Sequence, residues 1–415
     1  MVTQRTDASV GRALAPAQEG YSRLPSLTGL RFLAAFMVFV THVLVYTTIV
    51  PGHTGDQLRK AFTLSGSYGV GFFFILSGFV LTWTAQSDDT APSFWRRRLV
   101  KIGPMHLVTF GLAALMVADT NRPTRTVDWI ASGTMQQSWF RDVQTVSAVN
   151  GVTWSMTCEF FFYLSFPVLL FGLRRISEKW LWPTLATVLA LIVGVFLIAT
   201  YVVSDQPRLA LFGVSGVSFS QVWLVYFFPP VRALEFVLGI VLARIVAAGR
   251  WPRFISLAPA FVLAAGGYVL AVHEPYLAGS AGVGTVLTAP LIAAAAVADR
   301  QGAASVFRRR PMVFLGEISF AFYMVHWIIL VETAHLIGTR TFSLPTAVFL
   351  VIGLLVVICL AAFLLYRCVE TPLVRRFGRR HLNAGRTARS PGADGLRVPA
   401  GEASAAAGAG ESDPM

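Results

Sequence analysis

Apolar residues in this chain fall in long runs, separated by short polar segments rich in Arg, Pro and Gly. Runs of about 18–23 apolar residues match the length a helix needs to cross a bilayer core. Such runs lie at about 27–48, 66–85, 103–118, 152–172, 182–203, 222–246, 254–272, 280–298, 313–335 and 344–366. The pattern therefore predicts about ten transmembrane helices. The third run is short, and Pro229-Pro230 predicts a kink or break in the sixth, because proline removes a backbone donor and clashes with the preceding turn. A polar stretch of about 26 residues precedes the first run, which argues against a cleavable signal peptide.

Composition narrows the class. Of 415 residues, 55% are hydrophobic and only 13% charged, about half the charge fraction of an ordinary soluble domain. Thirty-two Phe and ten Trp would not hide in one aqueous core, since cores stop growing at about 250–300 residues. A soluble enzyme and a disordered chain are both excluded, and the expected fold is an all-α polytopic membrane helix bundle. The net charge of +13 would suggest nucleic acid in a soluble protein. Here the cations cluster between apolar runs, so the expected partner is membrane lipid and not nucleic acid.

Orientation follows from the same cations. One alternate set of loops and tails carries 24 of the 34 Lys and Arg, the other carries 7, and Arg31, Arg232 and Arg244 lie inside runs. Positive loops stay inside, which puts both termini in the cytoplasm and requires an even number of spans. The expected organisation is a cytoplasmic N-tail at 1–26, a membrane domain at 27–376 and a disordered cytoplasmic C-tail at 377–415. Neither tail reads as a soluble catalytic domain, so any chemistry belongs to the bundle. Cys158, Cys359 and Cys368 have no metal-ligand spacing, and neither zinc nor a disulfide is expected.

Ionisable groups at membrane depth are costly and point to function. In SLTGLRFLAAFMVFVTHV, Arg31 and His42 are eleven residues apart, which is about three helical turns and about 16 Å along one helix face. Arg31 falls near the cytoplasmic boundary and His42 toward the outer side. Snorkelling and interhelical hydrogen bonding are the plain alternatives for the two. In GSYGVGFFFILSGFV, Gly69, Gly71, Ser77 and Gly78 suit close helix packing. FWRRRLVKIGPMH puts Arg97, Arg98 and Lys101 in a basic loop that either marks topology or holds phosphates.

Glu159 in WSMTCEFFFYLSFP lies about nine residues from the outer end of its run, at a depth near that of His42. A carboxylate there either orients the imidazole or pairs with an arginine such as Arg232. Arg232 and Glu235 stand at i, i+3 and suit a structural pair. Ser319, Tyr323 and His326 in FLGEISFAFYMVHW form a polar stripe suited to a cavity wall.

Taken in order, these strings resemble the acyltransferase 3 family of integral-membrane O-acyltransferases. The resemblance covers about residues 24–376 and is carried by SLTGLRFLAAFMVFVTH, GVGFFFILSGF, FWRRRLVKIGP, WSMTCEFFFYLSFP, VRALEFVLGI, LGEISFAFYMVHW and RCVETP around Glu370 and Pro372. It implies transfer of an acyl group, acetyl most readily, from cytoplasmic acyl-CoA to a sugar hydroxyl. The acceptors it implies are surface glycans and glycosylated secondary metabolites such as macrolides. The family's Arg/His pair falls on Arg31 and His42. Its basic Arg-x-x-Arg motif falls on Arg98 and Lys101, the lysine keeping charge but not the bidentate fork. Phe320 stands where a Tyr is common.

The expected mechanism is direct transfer at the plasma membrane without a metal. Arg31, Arg97, Arg98 and Lys101 hold the nucleotide of acyl-CoA. His42 is the general base, oriented by Glu159, and Ser77, Trp154, Ser319, Tyr323 and His326 line the substrate cavity. Ser155 and Cys158 are the nearest candidates for a covalent nucleophile. The competing reading is a multi-span transporter in which His42, Glu159 and Arg232 relay protons or bind solute. It lacks the internal repeat common in such folds.

Overall fold

The computed structural model describes residues 24–86, 89–208, 216–280 and 282–377. Most of both predicted tails lies outside them. The ten predicted runs all form helix: α1 Pro25–Tyr46, α2 Ser65–Thr84, α3 Ala91–Asp119, α4 Trp154–Arg174, α5 Leu181–Tyr201, α6 Pro229–Ala247, α7 Leu257–His273, α8 Ala289–Arg300, α9 Arg310–Ile337 and α10 Leu344–Leu365. Among the described residues, eight helices are long and apolar enough to cross a membrane. The two outside that set are α6, which carries Arg232, Glu235 and Arg244, and α7, which is 17 residues long. The chain is a polytopic helical membrane bundle.

Pro229-Pro230 breaks the sixth run as expected. A short helix at Phe219–Val222 and a wide turn at Trp223–Phe227 precede α6, whose first residues are the two prolines. Proline suits that position because the first helical N–H groups have no partner anyway.

The third run required correction. α3 is not a short span from 103 but a 29-residue helix that begins at Ala91. The basic segment expected to be a loop forms its first turns. Arg and Lys are good helix formers, and Pro104 lies inside the helix, as membrane helices tolerate. The cations are thereby fixed on a rigid element. The turn Tyr366–Glu370 and the helix Thr371–Phe377 pack against it.

Helices in lipid gain little from hydrophobicity, so close packing and polar contacts hold them. α2 and α6 cross at two glycines. A Cβ on Gly78 would meet the Phe236 carbonyl oxygen at 1.9 Å, and one on Gly239 would meet that of Ile75 at 1.9 Å. Gly69 and Gly71 likewise sit against Ala34 and Thr285. Because the obstructing atoms are backbone, Gly239→Ala is expected to lower thermal stability in detergent by about 1–3 kcal/mol. Gly266→Ala, with open space around it, should leave the melting curve in place.

Polar contacts tie one end of the bundle. Ser26 donates from its backbone N–H (2.8 Å) and its hydroxyl (2.7 Å) to Asp299 at the end of α8. Arg244 donates to the carbonyls of Leu173 and Ile176, capping the carbonyl end of α4.

The segment between α3 and α4 decides the depth of the site. Residues 137–153 surface at 139–141 but otherwise fold back among the helices. Gln137, Ser138 and Asn150 are buried, and each donates a side-chain hydrogen bond, as buried polar groups tend to. Gln137 Nε2 donates to Thr153 Oγ1 (2.8 Å), Ser138 Oγ to the Trp154 carbonyl (2.8 Å) and Asn150 Nδ2 to the Met324 carbonyl (3.0 Å). α4 therefore begins midway along α9, beside Tyr323, and not at a membrane face. Upstream, Asp128 anchors this segment. Burial pushes its carboxyl up, but hydrogen bonds from Arg125 and Thr145 outweigh that and hold it below the usual carboxylate range.

Candidate active site

Two of the cavities lined by described residues hold the candidate groups, one toward each end of the bundle. The first holds the charged candidates Arg31 from α1, Arg98 and Lys101 from α3 and Glu159 from α4, together with the hydroxyls of Ser77 from α2 and Ser319 from α9. Arg98 and Lys101, three residues apart, reach it from one face of α3. The Arg98 guanidinium lies 5.4 Å from the Phe94 ring centroid and 5.9 Å from that of Tyr163, which orients its fork. Arg97 does not line this cavity. It donates to Asp89 and to Ser93 Oγ, both at 2.8 Å.

The second cavity is lined by His42 and Tyr46 of α1, by Trp154, Tyr226 and Tyr276, and by Trp327 of α9. Val70 and Tyr323 line both cavities. The two chambers thus share a wall one residue thick. The Tyr323 hydroxyl fixes that wall, pairing with Ser155 Oγ at 2.8 Å and donating to the Val152 carbonyl at 3.0 Å.

His42 has a partner that the sequence reading did not assign. Its Nδ1 lies 2.8 Å from His326 Nε2, and His326 Nδ1 lies 2.7 Å from the Tyr323 backbone carbonyl. The rings stack with an interplanar angle of 10°. A carbonyl only accepts, so His326 must carry its proton on Nδ1. With both rings neutral, His326 Nε2 is then an acceptor, and His42 donates to it from Nδ1. The chain of bonds leaves His42 Nε2 with an unshared pair, and His42 lines the cavity. The backbone carbonyl sets the tautomer of both rings, as a carboxylate does in other histidine pairs.

Glu159 does not orient His42. It lines the first cavity and takes a hydrogen bond from the Tyr163 hydroxyl, one turn along the same helix. The depth expected for it assumed that α4 starts at the outer face. Because residues 137–153 fold inward, α4 starts lower and Glu159 falls below the shared wall. Cys158 is fully buried and donates toward the Phe227 carbonyl at 3.5 Å. Ser155 is engaged by Tyr323. Arg232 and Glu235 form the expected pair at 2.9 Å, and Glu235 also accepts from Thr285 Oγ1 at 2.5 Å.

The aromatic groups of the second cavity were missed except for Trp154 and Tyr323. Tyr46 follows His42 by four residues, so helical spacing carried a signal for it, whereas Trp327 adjoins His326, a spacing that puts the two on different faces and carried none. Tyr226 and Tyr276 come from broken segments, where periodicity gives none.

Comparison with known proteins agrees with this architecture. The acyltransferase 3 profile, described as an acyltransferase domain, matches residues 24–367. Acyltransferase MdmB of Streptomyces mycarofaciens is 38% identical over 384 residues, spanning 90% of this chain and 96% of the relative. The O-acetyltransferase OatA of Staphylococcus aureus is 25% identical over 396 residues. That match spans 85% of this chain but only 57% of OatA. No solved structure matches the chain. With a matching profile over most of its length and a near-full-length relative, this protein belongs to the acyltransferase 3 family of membrane O-acyltransferases.

Proposed function

We propose that the protein moves an acetyl or other short acyl group from acyl-CoA, in the first cavity, to a hydroxyl of a sugar or glycoside in the second. The observation that carries this reading is the pair of cavities meeting at Val70 and Tyr323, with cations on one side and His42 on the other. Two substrates approaching from opposite ends would meet at that wall. On the charge distribution along the chain, the first cavity faces the cytoplasm, where acyl-CoA is made, and the membrane is the plasma membrane.

The roles follow from chemistry. Arg31, Arg98 and Lys101 offer charge-assisted bonds to the phosphates of the donor. Arg97, engaged by Asp89 and Ser93, is left out of this set. The about 16 Å between Arg31 and His42 suits the pantetheine arm, which carries the thioester toward the shared wall. Trp and Tyr rings in the second cavity offer apolar faces with polar tips, matching the mixed C–H and hydroxyl surface of a sugar. A surface glycan and a glycosylated metabolite such as a macrolide both present that surface.

His42 Nε2 takes the proton from the acceptor hydroxyl as its oxygen attacks the thioester carbonyl carbon. Collapse expels the CoA thiolate, which recovers the proton from the imidazolium. His326 is the positioning residue, and the surrounding helices keep out water that would hydrolyse the thioester. With Ser155 and Cys158 both engaged, transfer is direct.

Donor binding provides the test. Arg98→Ala and Lys101→Ala should each raise the KM for acyl-CoA by roughly 10- to 150-fold, the worth of a lost charge-assisted bond, with kcat largely kept. Unchanged donor dependence in both variants would remove acyl-CoA from the first cavity and overturn the reading.

A further inference from the structure

Glu159 is the charged group of the first cavity that the proposed mechanism leaves unused. It is the one carboxylate among the described residues lining that cavity, set among Arg31, Arg98 and Lys101. A carboxylate beside a phosphate site repels the ligand, so its presence there calls for a reason. Charge compensation is the plain one. Yet among the described residues Glu159 forms an ion pair with none of these cations. Only one of its oxygens is engaged, Oε1, which accepts from the Tyr163 hydroxyl. Oε2 accepts from no described residue. It is also reachable, because Glu159 is partly exposed and Oε2 is not sealed from solvent as Glu235 Oε2 and Glu370 Oε2 are.

The place of Glu159 along α4 shows what would meet it. Ser155, Glu159 and Tyr163 follow at intervals of four, which sets them along one helix face with about 6 Å between successive levels. Ser155 stands at the wall between the two cavities, 2.8 Å from the Tyr323 hydroxyl. The Tyr163 ring centroid lies 5.9 Å from the Arg98 guanidinium. Glu159 is therefore one turn from the wall and one turn from the level of the cations. Its electrostatic neighbours fall in the same order, Tyr323 on one side and Arg98 and Lys101 on the other.

A donor whose phosphates meet Arg98 and Lys101, and whose thioester reaches the wall, must draw its pantetheine arm across Glu159. That arm carries two amide N–H groups. The one nearer the sulfur is separated from it by two carbons, roughly 4 Å when extended, which brings it near the level of Glu159. We propose that Glu159 Oε2 accepts a hydrogen bond from this amide N–H and so sets how far the arm rises toward His42. The assignment rests on acyl-CoA occupying the first cavity. Such a bond to a carboxylate is charge-assisted. A carboxylate accepts and does not donate, so it selects an N–H over an oxygen at that place in the arm. The cations hold the nucleotide of the donor, and Glu159 reads its amide.

The test measures the binding of two donors to the purified full chain in detergent by titration calorimetry, which needs no acceptor. One is acetyl-CoA. The other is its analogue with an ester oxygen in place of the amide N–H nearest the sulfur, the nucleotide and thioester being kept. The natural protein should bind acetyl-CoA roughly 10- to 150-fold more tightly than the analogue, the worth of a charge-assisted bond. Glu159→Gln should keep its thermal midpoint, because the amide oxygen still accepts from Tyr163. Its NH2 group then takes the place of Oε2 and faces the donor, so the preference should vanish or turn toward the ester. Equal binding of the two donors by the natural protein overturns the proposal without any variant. So does an equal loss on both donors in Glu159→Gln, which would make Glu159 a charge partner of the cations alone. In either case tight binding of acetyl-CoA leaves the donor cavity standing. If acetyl-CoA itself does not bind, the reading of the first cavity fails, and this assignment with it.

Discussion

His42→Gln is expected to fold, bind acyl-CoA and transfer almost nothing, with kcat lower by about 10²–10⁴-fold. Glutamine can fill the space and hydrogen-bond to His326, but it cannot accept a proton at neutral pH. His42→Ala should be similarly inactive. The donor KM should be unchanged in both, because the cations proposed to hold the donor's phosphates line the other cavity. Steady-state rates at saturating acyl-CoA, paired with thermal melts, check this. A packing histidine would give the opposite pattern: a nearly active glutamine variant, and an alanine variant that loses stability and activity together. That result would reject His42 as the base.

A comparable loss is expected at His326, though by a different route. His326→Leu removes the acceptor for His42 Nδ1–H. It leaves a buried donor unpaired and frees the imidazole to take the other tautomer, with its proton on Nε2 where the base is needed. The kcat should fall by about 10²-fold or more. His326→Gln offers a side-chain amide oxygen that can accept from His42 Nδ1, and should recover a substantial part of the rate. The glutamine rescue is the informative readout, since it restores the hydrogen bond and not the imidazole. Equal activity of the leucine variant and the natural protein would reduce the histidine pair to packing. The donor KM again serves as the control, because His326 does not line the first cavity.

These expectations depend on features of unequal visibility in the sequence. Membrane insertion and the helical class were legible because they follow from run length and composition, which are properties of the chain alone. The same holds for Arg31 and His42 sharing one helix, and for the tight packing at Gly69, Gly71 and Gly78. In each case the neighbours that matter lie on one element or one face, and helical spacing reports them directly. The break before α6 was equally local, since proline acts on its own turn.

The partner of His42 was not legible in that way. His326 lies 284 residues away, and whether two helices meet at matching heights depends on where each one starts. Counting from the ends of apolar runs gave Glu159 the depth of His42, and the count assumed that α4 begins at a membrane face. The polar stretch at 137–153 has no hydrophobic signature and reads as an external loop. In the folded bundle its side chains find Thr153, the Trp154 carbonyl and the Met324 carbonyl as partners, which makes burial affordable in a region without water. That inward fold lowers the start of α4, carries Glu159 into the first cavity and leaves His42 to His326.

The cations of α3 show the same division. Their charge and order in the chain were evident, whereas their place on a helix, with Arg98 and Lys101 turned into the cavity and Arg97 held by Asp89, was not. Sequence by itself determined which groups this membrane protein has for chemistry and which of them share a helix. Tertiary structure decided which groups from different helices stand within hydrogen-bond reach, because that depends on helix register, and here a buried polar segment sets the register.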